Sequence, residues 1–356
     1  MIRVLVVDDS MFMRGAIKKT LSATGQFEVV GQASGGEEAL RRVLELSPDV
    51  ISMDFNMPGW TGADAVAQIM AQRPTPIVMF SAHTTKGARE TLDALSAGAV
   101  DFVTKPHGEV SADLSKVQDE LVRKLVAAAG SKPRVSARAP LRPAVTPSPP
   151  SVRGSASRTP IPAPRPSGVG SALPKLVVIA VSTGGPVALG QLIPALPADS
   201  RFAVVVVQHM PAHFTTALAE RLDSISALTV REAETGDRPR PGLVLIAPGD
   251  RHLELDDRGA VLLKDGPHVN GCRPAADVTM VAAARVYGRR TIGVVLTGMG
   301  RDGTAGALAI QRAGGKTLAQ DEESSVIFGM PRSAIEAGAV EEVAPLSEIA
   351  SRLRYM

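Results

Sequence analysis

The sequence predicts two α/β domains built on parallel, doubly wound sheets and joined by a proline-rich segment. Three observations lead there. At about 150 residues per domain, 356 residues make roughly two domains, each able to bury its own core. In both halves short apolar runs alternate with amphipathic stretches, the pattern of strands separated by helices. Between the halves, Ser131 to Pro174 holds 11 prolines in 44 residues and no acidic side chain. Such a stretch buries too little apolar surface to offset chain entropy and favours an extended path. We therefore expect domains at 1–125 and 175–356 with a linker over 126–174.

In the first domain, strands are expected at Ile2 to Val7, Val29 to Ala33, Val50 to Met53, Ile77 to Phe80 and Ala99 to Val103. Helices are expected at Gly36 to Leu46 and Thr61 to Gln72. In the second, Leu176 to Val181, Phe202 to Val207, Thr291 to Leu296 and Lys316 to Gln320 read as strands. Ligands of such sheets sit at the carboxyl ends of the strands.

Composition excludes several classes. The longest apolar runs, such as Phe202 to Val207, fall far short of the span a membrane helix needs, and no signal peptide is recognisable at the start. The single cysteine, Cys272, rules out an internal disulfide framework and suits a reducing cytoplasm, where we expect the protein to work. The net charge of +3 is not spread evenly. Residues 1–130 carry 13 basic and 16 acidic side chains, 131–174 carry 7 and none, and 175–356 carry 19 and 20. All the positive excess lies in the linker, so neither domain offers the basic face that specific nucleic-acid binding needs.

Polar residues cluster at the expected strand ends of the first domain. Asp8 and Asp9 follow strand one, Asp54 strand three, Ser81 strand four, and Lys105 strand five. Three converging carboxylates repel one another, so the cluster calls for a hard cation such as magnesium, and the lysine for an incoming phosphoryl group. Taken singly, each has a plainer reading as a turn, a cap or a solvated charge.

In the second domain, Ser182 lies between a strand and the turn Thr183-Gly184-Gly185-Pro186, where glycine permits the turn and proline suits a first helical turn. A hydroxyl there meets helix N–H groups, and it serves equally as a helix cap. His209 follows the strand Phe202 to Val207, and Asp302 follows the strand Thr291 to Leu296. Serine, histidine and aspartate from three strand ends meet the needs of a nucleophile, a general base and the group that orients the base. His209 and His213 have the spacing of a zinc helix, but Met210 replaces the usual glutamate and Pro211 interrupts the segment. A competing signal is Gly298-Met299-Gly300-Arg301-Asp302-Gly303, a Gly-x-Gly-x-x-Gly run followed by Asp321, which reads as a dinucleotide-binding turn. It begins too near the C-terminus for a full dinucleotide fold and leaves Ser182 and His209 without roles.

The acidic pair, Asp54, Ser81 and Lys105 resemble the receiver domain of two-component response regulators over residues 1 to about 125. The resemblance implies a flavodoxin-like five-stranded parallel sheet with Asp54 as phosphoacceptor. It also implies magnesium held by Asp8, Asp9, Asp54 and the main-chain carbonyl of Asn56, with Ser81, Phe102 and Lys105 as switch residues. Asn56 stands where glutamate is commoner, and Trp60 is unusual. The phrases Ser182-Thr183-Gly184-Gly185-Pro186, Val207-Gln208-His209-Met210-Pro211, Ile246-Ala247-Pro248-Gly249, Leu296 to Gly303 and Gly329-Met330-Pro331 resemble the chemotaxis protein-glutamate methylesterase (CheB) family. That resemblance implies a doubly wound, mostly parallel α/β domain that hydrolyses glutamate methyl esters on chemoreceptor cytoplasmic domains, releases methanol, and in many members deamidates receptor glutamines. It implies catalysis by Ser182, His209 and Asp302, an oxyanion donor at the Met299 N–H, Thr183 as a neighbour shaping the site, and no cofactor there. A chemotaxis histidine kinase is the implied phosphodonor, with phosphorylation lifting the receiver from the esterase cleft. The readings left open from other classes are a non-catalytic response regulator acting by protein binding, a dinucleotide-binding output domain and a DNA-binding output domain.

Overall fold

In the computed structural model, residues 1–81, 84–105, 114–131 and 173–356 are described. The proline-rich segment lies outside them apart from its ends, as does Pro106.

The N-terminal unit runs β1 (Ile2–Val7), α1 (Met11–Ala23), β2 (Phe27–Ala33), α2 (Gly36–Leu46), β3 (Val50–Asp54), α3 (Gly62–Gln72), β4 (Ile77–Ser81), α4 (Thr85–Ala97), β5 (Asp101–Thr104) and α5 (Leu114–Ala129). Its strands pair in the order β2-β1-β3-β4-β5, every pair parallel. Helices cover both faces, so β3 and β4 are buried at every position. Side chains start the helices: Ser10 accepts from the Met13 N–H, and Thr61 with Asp64 forms a reciprocal capping box on α3. One strand begins later than expected. Ala99 donates its N–H to Ala94 across Gly98, which takes φ +124°, so the chain is still closing α4 and β5 starts at Asp101.

The C-terminal unit runs β6 (Lys175–Val181), α6 (Gly185–Ala195), β7 (Phe202–Gln208), α7 (Phe214–Ile225), β8 (Thr229–Glu232), β9 (Leu243–Ile246), β10 (His252–Leu255), β11 (Val261–Lys264), α8 (Ala276–Tyr287), β12 (Thr291–Val295), α9 (Thr304–Arg312), β13 (Lys316–Gln320), α10 (Met330–Glu336), β14 (Glu342–Ala344) and α11 (Leu346–Tyr355). Seven strands form one sheet in the order β14-β13-β12-β6-β7-β9-β8, and β10 pairs with β11 as a separate antiparallel hairpin. Every pair in the large sheet is parallel. The apolar run Leu176 to Val181 is buried throughout because helices pack on both sides of it.

Each sheet has one place where the strand order turns back, between β1 and β3 in the first and around β6 in the second. Crevices open beyond the carboxyl ends of strands at such switch points. Both candidate sites lie there. Among the described residues no helix is long and apolar enough to cross a membrane.

Candidate active site

Ser182 and His209 leave the sheet side by side. The parallel register of β6 and β7 runs to Val181 opposite Gln208, and the His209 N–H donates to the Val181 carbonyl at 3.1 Å. The next positions, Ser182 and His209, are thus brought together at the spacing of neighbouring strands, ~4.8 Å. On the other side the Ser182 N–H donates to the Thr297 carbonyl at 3.0 Å, which ties the turn to the segment after β12. Gly184 takes φ +78°, where a Cβ would also strike Val326. At Gly298 a Cβ would lie 2.8 Å from the Ser182 Cβ, so glycine is what lets this segment close on the serine.

The segment after β12 also delivers Asp302. Its Oδ2 meets His209 Nε2 at 2.7 Å, and it is 2% exposed. The Ala276 N–H donates to Oδ2 at 2.5 Å, and the Asp277 N–H to Oδ1 at 3.1 Å. Burial alone would raise this carboxyl, but His209 and the N–H donors outweigh it and hold its pKa below the usual carboxylate range. Burial likewise works against the His209 imidazolium. Its hydrogen bonds to Asp302 and Cys272 overcome that and lift its pKa to about 9.

With Nε2 committed to Asp302, Nδ1 is the nitrogen left for the serine. It faces Cys272 Sγ at 3.5 Å, and among the described residues the Ser182 hydroxyl makes no hydrogen bond to the ring. The Met299 N–H, two residues past Thr297, donates to no described group. His213, read with His209 as a possible zinc pair, is instead the residue preceding α7, with φ +68°. The glycine run of 298–303 does occupy a strand-to-helix turn of a β–α–β unit. Its acidic follower Asp321, however, is spent on the Ser324 N–H at 2.9 Å and the Ser324 hydroxyl.

In the N-terminal unit Asp8, Asp9 and Asp54 bring carboxylate oxygens within 4.8 Å of one another. Lys105 Nζ lies 2.8 Å from Asp54 Oδ2 and 3.4 Å from Asp8 Oδ2. Asp54 Oδ1 is buried without a hydrogen-bond partner. Burial, only partly offset by Lys105, pushes the Asp54 carboxyl up to about 6. Ser81 is turned away from this cluster. Its hydroxyl accepts from Thr91 at 2.7 Å and contacts the Gly87 carbonyl at 3.4 Å, both in α4.

The two units meet beside Ser182. The Thr183 hydroxyl donates to Asp101 Oδ2, and Asp101 Oδ1 also takes the Lys124 ammonium at 3.2 Å. Phe102, 4% exposed, stacks on Phe214 of α7 with ring centroids 4.5 Å apart. Arg89 pairs with Glu220 at 2.9 Å, and Arg221 with Asp93 at 2.7 Å. Sequence reasoning missed Asn270, Cys272 and Asp277, which surround the imidazole and Asp302. An Asn-Gly hairpin signal marks 270–271, but nothing in it points to His209.

Comparison with known proteins shows the family. Residues 177–353 match the family model described as CheB methylesterase, and residues 4–113 the response regulator receiver domain. A protein-glutamate methylesterase/protein-glutamine glutaminase of Symbiobacterium thermophilum is 47% identical over 99% of this chain and 96% of its own length. One from Thermotoga maritima is 44% identical over 99% and 97%. The crystal structure of the Thermotoga maritima CheB methylesterase catalytic domain matches with a TM-score of 0.50 at 49% identity, covering 51% of this chain and 97% of that one. The chain belongs to the CheB family of protein-glutamate methylesterases that carry a response regulator receiver domain.

Proposed function

We propose that this chain hydrolyses methyl esters of glutamate side chains on chemoreceptor cytoplasmic domains, with Ser182 as nucleophile, His209 as general base and Asp302 as the carboxylate that orients it. The observation that carries this reading is the 2.7 Å contact between His209 Nε2 and Asp302, made where β6 sets Ser182 beside His209. Neutral His209 takes the Ser182 proton on Nδ1 as Oγ attacks the ester carbonyl. The developing oxyanion faces the Met299 N–H, and Thr183 shapes the floor beside it. The imidazolium then protonates the departing methoxide, giving methanol and an acyl-serine. Water, deprotonated by His209, attacks that acyl group and frees the glutamate carboxylate. The same steps release ammonia from a glutamine amide, which is the deamidation in the relatives' names.

The receiver's acidic cluster suits a hard divalent cation. Its oxygens converge, and Asp54 Oδ1 is buried and unpaired. Asp8, Asp9, Asp54 and the Asn56 carbonyl would hold magnesium, whose charge offsets theirs during phosphoryl transfer from a histidine kinase to Asp54. Lys105 stands ready to pair with the phosphoryl group, and Phe102 and Ser81 border the path to the esterase face. The docked receiver occupies the turn next to Ser182, so phosphorylation acts by loosening it. We place the enzyme in the cytoplasm, where the receptor domains and the kinase are.

Methanol release from methylated receptor membranes, with and without a small phosphodonor and magnesium, tests the reading. Ser182→Ala is expected to lose at least about a thousandfold in rate. Asp54→Asn is expected to keep basal release and lose stimulation. Full turnover in the first variant overturns the nucleophile, and unchanged stimulation in the second overturns the switch.

A further inference from the structure

Asp302 is held by more than the imidazole. Its Oδ1 accepts the side-chain amide of Asn270 at 3.0 Å, and the same Asn270 nitrogen donates to Asp277 Oδ2 at 2.8 Å. Asp277 Oδ1 in turn takes the Gly306 N–H at 2.7 Å. One neutral amide thus stands between the buried carboxylate of Asp302 and the half-buried one of Asp277. Burial pushes the Asp277 carboxyl up, and the like charge of Asp302 so close by adds to the effect.

The amide arrives on a tight hairpin. Val269 and Cys272 exchange backbone hydrogen bonds at 3.1 and 2.9 Å, and the two residues between them, Asn270 and Gly271, take φ +53° and +77°. A two-residue turn with both φ positive accepts Asn, Asp or Gly at its first position. The turn alone therefore does not account for an amide; the carboxylates it reaches do. Cys272, at the end of the same hairpin, touches His209 Nδ1, so this one turn contacts both the base and the group that orients it.

We propose that Asn270 is a positioning residue for the hydrolysis: its amide fixes the second oxygen of Asp302 and separates it from Asp277, so that Asp302 presents Oδ2 to His209. This rests on the assignment of Ser182, His209 and Asp302 given above.

Two variants separate a positioning role from a turn-forming one, because glycine and aspartate both suit the turn. Asn270→Gly removes the amide alone. Asn270→Asp replaces a donor with a further carboxylate among the groups that face His209 and its partners: Asp302 after β12, Asp277 on α8 and the Cys272 thiol on the hairpin, with Asp101 farther off across the domain boundary through Thr183. Added negative charge favours the imidazolium, so the pH at which His209 becomes a neutral base moves up. In the full chain with magnesium and phosphodonor, Asn270→Gly is expected to lose about tenfold in kcat with KM and the unfolding midpoint unchanged. Asn270→Asp is expected to lose more and to move the acid limb of the rate, and the His209 imidazole titration read by NMR, about one pH unit upward. Wild-type kcat in the glycine variant, an unshifted limb and titration in the aspartate variant, or a loss that merely follows the unfolding midpoint overturns the proposal. Ser182→Ala run alongside keeps the two readings apart. If it turns over like wild type the nucleophile assignment falls, while the NMR titration still judges Asn270.

Discussion

Asp54 carries a carboxylate that is poorly solvated: it is 2% exposed, one oxygen is unpaired, and its pKa is raised to about 6. A buried acid with a raised pKa stabilises the fold only while protonated. That contribution is fully present below the unfolded value near 3.8 and is lost as pH rises through about 6, beyond which the buried charge is a net cost. That cost is at most roughly 3 kcal/mol. Asp54→Asn, a neutral isostere, is therefore expected to unfold later than wild type at pH 8 without divalent ions, with the gap closing towards pH 4. Denaturant midpoints at the two pH values check this, and a gap that fails to depend on pH contradicts it. The raised pKa fits the phosphoacceptor role proposed for Asp54, since stability is given up at sites that function requires.

At the scale of elements, both sites follow from one rule of parallel sheets: the strand ends at the switch point hold the chemistry. That is why Asp8, Asp54, Lys105, Ser182 and His209, each at or within two residues of the end of an apolar run, and Asp302, in the glycine-rich turn after one, were legible in the sequence. The short strands β8, β9 and β14 and the hairpin of β10 and β11 were not, because three or four residues carry too little periodicity to read. Asn270 and Cys272 were hidden for another reason. Their meaning comes from a turn folding back on a histidine some sixty positions earlier, and local spacing holds no trace of that. Ser81 shows the converse: it sits at the expected strand end, yet its hydroxyl is bound into α4 by Thr91. The contact between Asp101 at the start of β5 and Thr183 in the turn after Ser182 was equally invisible, and it makes a prediction at this scale. Asp101→Asn weakens an anionic acceptor and is expected to raise methanol release without phosphodonor by about three- to tenfold while leaving the stimulated rate unchanged. An unaltered basal rate contradicts a restraining role for this contact.

Across the whole molecule, the two units are joined by contacts of unequal weight. The Arg89–Glu220 and Arg221–Asp93 pairs are exposed and contribute at most about 1 kcal/mol each, less at high salt. The Phe102–Phe214 stack and the buried Asp101–Thr183 bond carry more. Two units on one chain suit a switch, because the covalent change proposed at Asp54 needs only to shift a docking equilibrium by a few kcal/mol. The proposed hydrolysis stands on His209 activating the Ser182 hydroxyl. Its most direct test is covalent labelling by an alkyl fluorophosphonate, followed by peptide mass mapping of wild type and His209→Ala. The label is expected on the peptide containing Ser182, with the rate falling at least about a hundredfold when the imidazole is removed. Labelling confined to other residues, or a Ser182 that reacts at the same rate without His209, contradicts it.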